Sequence, residues 1–146
     1  MGSEGRFTTR LWSDDTAAMF RGMAPSTPPD LAELQRCIRR FAEERDWLQF
    51  HDPKNLSMAI AVEAGELMDH FRWVANDRSR QVLDDPRSRA GVEEEAADVL
   101  ILLLEFADTC GIDLPTAVER KLEVNARKYP VDLARGTATK HDRLGR

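Results

Sequence analysis

Sulfur and imidazole are scarce in this chain. Its 146 residues hold two cysteines, Cys37 and Cys110, and three histidines, and no Cys/His spacing of the zinc type occurs. Both cysteines sit in apolar, helix-like contexts, so both are expected to be buried thiols of a reducing compartment. Long apolar runs are missing as well. The longest spans residues 99–104, far too short to cross a bilayer, and the N-terminus lacks the apolar core of a signal peptide. A cytoplasmic address with no membrane partner is the resulting expectation. A broad basic face is also absent. Net charge is −5, and residues 120–146 carry eight Lys or Arg against three Asp or Glu, so the preceding region is the acidic part. That distribution argues against a general nucleic-acid binder. It suits a site where carboxylates hold cations and basic residues hold phosphates.

Strand-like alternation and internal repeats are absent, and helical periodicity is what remains. Residues 1–26 show no sustained pattern and are expected to be an arm, in part vector-derived. Thr27-Pro28-Pro29-Asp30 reads as a helix start, with Thr27 as cap and Pro28 in the first turn. Leu31, Leu34, Ile38 and Phe41 then recur at helical spacing up to about Asp46. Asp52-Pro53 opens a second helix, striped by Leu56, Ile60, Leu67 and Phe71, running to about Trp73. The polar stretch after it carries a short helix around residues 80–83. Ser88 caps a third helix, with Val92, Ala96, Val99, Leu103 and Phe106 on its stripe and Gly111 closing it. This helix is apolar nearly all round, which places it at the centre of a bundle or against another subunit. Asp113, Leu114 and Pro115 open a fourth helix that stops before Pro130. The expected fold is an all-α four-helix bundle over residues 27–130, followed by an irregular polar tail, 131–146.

Two acidic pairs stand inside these apolar stripes. The second helix carries Glu63 and Glu66, the third Glu95 and Asp98, each pair at i, i+3 and so on one helical face. Ala64, Gly65, Ala96 and Ala97 are small spacers that would let the two helices approach closely. A single such pair is ordinarily a solvated surface. Two pairs, both embedded in apolar stripes, point instead to a shared site. Four converging carboxylates repel unless a proton or a cation intervenes. Magnesium takes oxygen ligands, keeps several waters and is commonly held by a few carboxylates together with substrate phosphates. Glu93 and Glu94 read as surface acids near a helix start.

The pattern E-x-x-E, a spacer, then E-x-x-D resembles the MazG-like all-α nucleotide pyrophosphatases. The likeness is greatest to their dCTP pyrophosphatase branch, and covers roughly residues 31–144. It extends through Phe41-Ala42-Glu43-Glu44-Arg45-Asp46-Trp47, Phe50-His51-Asp52-Pro53-Lys54-Asn55-Leu56, Asp98-Val99-Leu100-Ile101, Asp113-Leu114-Pro115 and Asn125-Ala126-Arg127-Lys128-Tyr129-Pro130. The resemblance implies Mg2+-dependent hydrolysis of a deoxynucleoside triphosphate, dCTP or a 5-modified dCTP, to monophosphate and pyrophosphate, by a homo-oligomer, dimer or tetramer. Glu63, Glu66, Glu95 and Asp98 would be the metal ligands and catalytic acids. One position departs: the family carries a histidine on the first helix near the substrate, where this chain has Ile38.

Lys121, Asn125 and Tyr129 stand at i, i+4, i+8 along the fourth helix, with Arg127 and Lys128 beside them. An ammonium, an amide and a phenol suit phosphate oxygens. A solvated basic helix end explains them equally well until the resemblance assigns this region to the triphosphate, with Lys121 also catalytic. Trp47 and Trp73 follow helix ends. Core-edge packing is the ordinary reading for either, whereas the resemblance makes both walls of a base pocket. His51 and Asn55 are candidates for the base or sugar. His70 and His141 read as surface residues. Two rivals remain: a related helical pyrophosphatase acting on dUTP, oxidised nucleotides or phosphoribosyl-ATP, and a non-catalytic helical protein whose acids merely bind a cation.

Overall fold

The computed structural model describes residues 29–144. The expected N-terminal arm and the Thr27 cap lie outside them. The described chain is helical, with no strand: α1 (Leu31–Glu43), α2 (Pro53–Asp69), α3 (Pro86–Thr109), α4 (Leu114–Lys128) and a four-residue α5 (Val131–Ala134). Short 3-10 segments occupy Leu48–Phe50, Asn76–Asp84 and His141–Arg143. No helix among the described residues is long and apolar enough to cross a membrane.

Local chemistry explains the helix starts. Asp30 caps α1: its carboxylate accepts from the Glu33 amide at 2.8 Å, while the Glu33 carboxylate accepts from the Asp30 amide at 3.0 Å, a reciprocal capping box. Asp52 caps α2 through the Asn55 amide at 2.8 Å, and Asp113 caps α4 through the Thr116 amide at 3.1 Å. Asp85 rather than Ser88 opens α3. Its carboxylate accepts from both the amide and the hydroxyl of Ser88 at 2.8 Å, so Ser88 lies within the first turn. An acidic cap satisfies free amides and meets the positive helix end, which favours Asp over Ser at this position.

The helix ends are equally specific. Asp46 has a φ of 55°, a region that aspartate tolerates better than most residues. The Trp47 amide reaches back to the Ala42 carbonyl and the Asp46 amide to the Glu43 carbonyl, both at 3.0 Å. This Schellman closure ends α1 earlier than expected and fixes where Trp47 starts. The second helix stops at Asp69 rather than near Trp73, because the Met68 carbonyl takes the amides of Phe71 and Arg72, both at 3.0 Å, in a closing turn. Gly111, with φ 64°, closes α3 as its sequence position suggested.

The described residues divide into two compact units, one ending at Thr109 and one beginning at Cys110. In the first, α3 packs along α2 and against α1. Its buried apolar residues are Cys37 and Ala42 of α1, Leu56 of α2, and Leu104 and Ala107 of α3. Arg39 of α1 pairs with Asp108 of α3 at 2.7 Å. His70 packs over Gly91, where an added Cβ would come within 2.7 Å of the imidazole. His70 is therefore a half-buried packing residue rather than the surface residue expected. The second unit holds α4, α5 and the last 3-10 turn. The segment after Val131 is thus partly helical rather than irregular. Cys110 is exposed, contrary to expectation, because it falls in the turn between Thr109 and Gly111 instead of on the buried face of α3.

Candidate active site

The two acidic pairs meet where α2 runs along α3. Carboxylate oxygens of Glu63, Glu66 and Glu95 all lie within 4.8 Å of one another. Glu63 and Glu95 are half-buried and Glu66 is exposed. Asp98, one turn beyond Glu95, stands close enough for its charge to act on Glu63. The Glu63 pKa is raised, first by loss of hydration, then by the charges of Glu66, Asp98 and Glu95 and a hydrogen bond shared with Glu95. Among the described residues of the first unit, no lysine, arginine or histidine forms an ion pair with any of the four. Like charges this close, with no internal counter-charge, match the donor set of a hard divalent cation.

The small spacers do not mediate a close approach. A Cβ at Gly65 would meet nothing within 4 Å, and Ala64, Ala96 and Ala97 are exposed. Helix periodicity accounts for this: residues one or two positions from an acid that faces the neighbouring helix point away from that helix.

Beside the acids lies a cavity of about 540 Å3, within the roughly 300–1,000 Å3 typical of small-molecule sites. Leu34, Ile38 and Phe41 of α1 form one wall and Leu100, Ile101 and Leu104 of α3 another. Leu34, Ile38 and Phe41 of the α1 stripe are thus half-buried cavity lining rather than sealed core, and Leu31 is exposed. Trp47 lines the cavity, its ring edge-on to Phe41 at 5.8 Å, and the Arg45 guanidinium stacks on Phe41 at 3.5 Å from the ring centre. Glu63 and Asp98 also line the cavity, which joins it to the acidic cluster.

Two further polar residues line it. His51 Nδ1 stands 3.6 Å from Glu105 Oε2, and Glu105 is only 9% exposed. Burial raises the Glu105 pKa, and His51 acts in the opposite direction. Sequence reasoning missed Glu105. The available signal was a single acid in the apolar stretch 99–107, seven residues after Asp98 and hence two turns along the same helical face.

Other sequence candidates lie elsewhere. Trp73 does not line the cavity. It is 85% exposed, with the Arg72 guanidinium 4.8 Å from its ring. Asn55 supports the α2 start, its side chain donating to the Phe50 carbonyl at 3.1 Å. Lys121, Asn125 and Arg127 belong to α4 in the second unit. Tyr129 follows α4, donates its amide to the Asn125 carbonyl at 2.9 Å and meets His141 edge-on at 5.7 Å.

Facing acidic pairs on packed helices, joined to a ring-sized apolar cavity, define a helical, carboxylate-centred site, and residues 58–144 match the profile of the MazG-like family. The chain belongs to that family. Among individual proteins it is similar to dCTP pyrophosphatase 1 of Homo sapiens, 43% identical over 131 residues, covering 90% of this chain and 76% of the human protein. It is likewise similar to dCTP pyrophosphatase 1 of Mus musculus, 42% identical over 133 residues, 91% of this chain and 78% of the mouse protein. The crystal structure of a pyrophosphatase from Archaeoglobus fulgidus superposes with a TM-score of 0.65 at 43% identity, covering 71% of this chain and 95% of the other.

Proposed function

We propose that the protein is a Mg2+-dependent nucleoside triphosphate pyrophosphatase that converts dCTP or a 5-modified dCTP to the monophosphate and pyrophosphate. One observation carries the reading: the Glu63, Glu66 and Glu95 carboxylates converge beside a cavity that Glu63, Asp98 and Trp47 also line. The relatives named dCTP pyrophosphatase 1 support the same assignment. Glu63, Glu66, Glu95 and Asp98 would hold the cation, which when bound offsets triphosphate charge and acidifies a water. An acid of the cluster, Glu63 or Glu66, is the base that accepts the water proton. Trp47 stacks the base. Lys121 counters charge developing on the phosphates, and Asn125, Arg127 and Tyr129 are further phosphate contacts. Trp73 is retained as a base-stacking candidate, and residues 27–130 as the catalytic domain. A cytoplasmic address accompanies this reading.

The same reading includes a homo-oligomer, dimer or tetramer. Met58, Val62 and Met68 of α2 are 57–61% exposed and Leu103 of α3 is 37% exposed, and apolar surface of this kind commonly marks association. Sedimentation of a monomer at micromolar concentration would remove that element.

The test of function is pyrophosphate release from a panel of dNTPs, dUTP, oxidised nucleotides and phosphoribosyl-ATP, with and without Mg2+. Joint appearance of dCMP and pyrophosphate, with no early dCDP or free phosphate, is the expected result. Release of dCDP and phosphate overturns the reaction class. Turnover of another panel member ahead of dCTP overturns the substrate, and no turnover at all leaves a cation-binding protein.

A further inference from the structure

The cavity holds more charge than the proposed chemistry uses. Glu63 and Asp98 belong to the acidic cluster, and Trp47 supplies a stacking face. Glu105 is left over. It is nine-tenths buried, lines the apolar cavity, and stands 3.6 Å from His51, beyond hydrogen-bond reach. A carboxylate offers about four acceptor sites, and burying one without partners is costly. Its oxygens nevertheless are not sealed off, since the described residues contain no buried, unpartnered side-chain oxygen. They therefore open into space that something else can fill. Glu105 also borders a crevice of about 10 Å3, room for at most one water. Of these two spaces, the 540 Å3 cavity is the one large enough for a ring.

Position adds to this. Glu105 lies two turns beyond Asp98 on α3, an axial distance of about 10.5 Å at 1.5 Å per residue. That separation matches the distance between the phosphate end and the base edge of a nucleotide. The rest of the lining between them, Ile101, Leu102 and Leu104 with Ile38 opposite, offers no side-chain hydrogen bond. Stacking on Trp47 accepts any base, so discrimination falls to the polar groups at the far end, Glu105 and the neighbouring His51. Carboxylates accept from the N4 amine of cytosine, whereas uracil and thymine present an oxygen there.

We propose that Glu105, with His51 beside it, accepts a hydrogen bond from the exocyclic amine of cytosine and thereby selects amino-pyrimidine over oxo-pyrimidine nucleotides. This rests on the nucleotide-hydrolase reading above. An oxo base would set its carbonyl oxygen against the carboxylate, an uncompensated repulsion. A base lacking the amine would leave the carboxylate without its partner. Removing a hydrogen bond to a charged group in such a place costs roughly 10- to 100-fold in affinity.

The experiment compares kcat/KM for dCTP, dUTP and the dCTP analogue whose base is pyrimidin-2-one, which lacks the amine, in wild type and in Glu105→Gln and Glu105→Leu. Wild type is expected to prefer dCTP over the analogue by roughly 10- to 100-fold and over dUTP by at least as much. In Glu105→Leu the analogue penalty should vanish, and in Glu105→Gln, whose amide can donate to an oxo group, the dCTP/dUTP ratio should fall at least tenfold. Both effects should appear in KM, with kcat largely kept. If wild type hydrolyses these triphosphates yet treats the analogue like dCTP, or if both variants keep the wild-type ratios, the assignment of Glu105 is wrong. Absence of any hydrolysis by wild type instead defeats the function reading. Calorimetric binding of 2′-deoxycytidine against 2′-deoxyuridine to wild type then decides the Glu105 assignment by itself, as it does if a variant fails to fold. Preference for deoxycytidine supports it and equal affinity overturns it.

Discussion

Replacing Leu104 with alanine tests the packing that forms the cavity. Leu104 is 1% exposed, the most deeply buried large side chain among the described residues, and it also forms part of the cavity wall. The substitution removes three carbons, about 2.4 kcal/mol of transfer free energy at about 0.8 per methylene. Loss of packing contacts adds to this, and buried Leu→Ala changes span about 2.7–5.0 kcal/mol. Here the new space merges with an existing cavity instead of forming a sealed void, so the cost should fall near the lower end, about 3 kcal/mol. The assay is urea unfolding followed by circular dichroism, at two protein concentrations so that association is not read as folding. The midpoint should fall with little change in slope. Leu122→Ala, at a residue 60% exposed on α4, is the control and should cost less than about 1 kcal/mol. Leu104→Ala costing under about 1 kcal/mol, or no more than the control, would refute the packing described for α1 and α3. A second readout follows from the neighbouring position of Glu105: KM should rise in Leu104→Ala while kcat holds, since the wall moves and the acids do not.

Three further outcomes are expected. Glu66→Gln, Glu95→Gln or Asp98→Asn should abolish pyrophosphate release with the helical spectrum intact; wild type should gain about 2.7 kcal/mol of stability when Mg2+ is at a hundredfold excess over its Kd, and full activity in excess chelator would contradict this. Trp47→Ala should chiefly raise KM, whereas Lys121→Ala should lower kcat as well, which steady-state kinetics on dCTP will separate. The Asp113 pKa is held below its ordinary value by the amide and then the hydroxyl of Thr116, so its contribution to stability is fully present above the ordinary aspartate range and lost as pH falls through the depressed value. Wild type should therefore exceed Asp113→Asn in stability at neutral pH and converge with it in acid, as read from unfolding curves taken across that range.

Local signals in the sequence carried most of the secondary structure. Asp52, Asp113 and Gly111 act where their types and positions suggest, and the i, i+3 acids meet because helix periodicity puts each pair on one face. Signals that depend on tertiary packing were not legible. Glu105 is one acid among leucines, and only the docking of α1 and the turn carrying His51 makes it a buried cavity residue. Trp73 and Trp47 both follow helix ends, but the closing turn of α1 directs Trp47 to the cavity and the turn after α2 leaves Trp73 in solvent. Cys110 and Cys37 both adjoin helical apolar stripes in sequence, yet one falls in a turn and the other on a packed face. The cap of α1 is Asp30, fixed by its reciprocal bond with Glu33.

The contrast between the two thiols gives the molecule a built-in clock. Cys37 is 2% exposed and lines the cavity, and burial raises its pKa, so little of it is thiolate. Cys110 is exposed. An aromatic disulfide reagent should therefore react in two phases, a fast one at Cys110 and a slow one that waits for α1 to lift from α3. The slow phase times that local opening directly, without a label or an engineered site. Whatever fills the cavity should lengthen it, so ligand occupancy becomes readable from the rate at which a single sulfur atom is found.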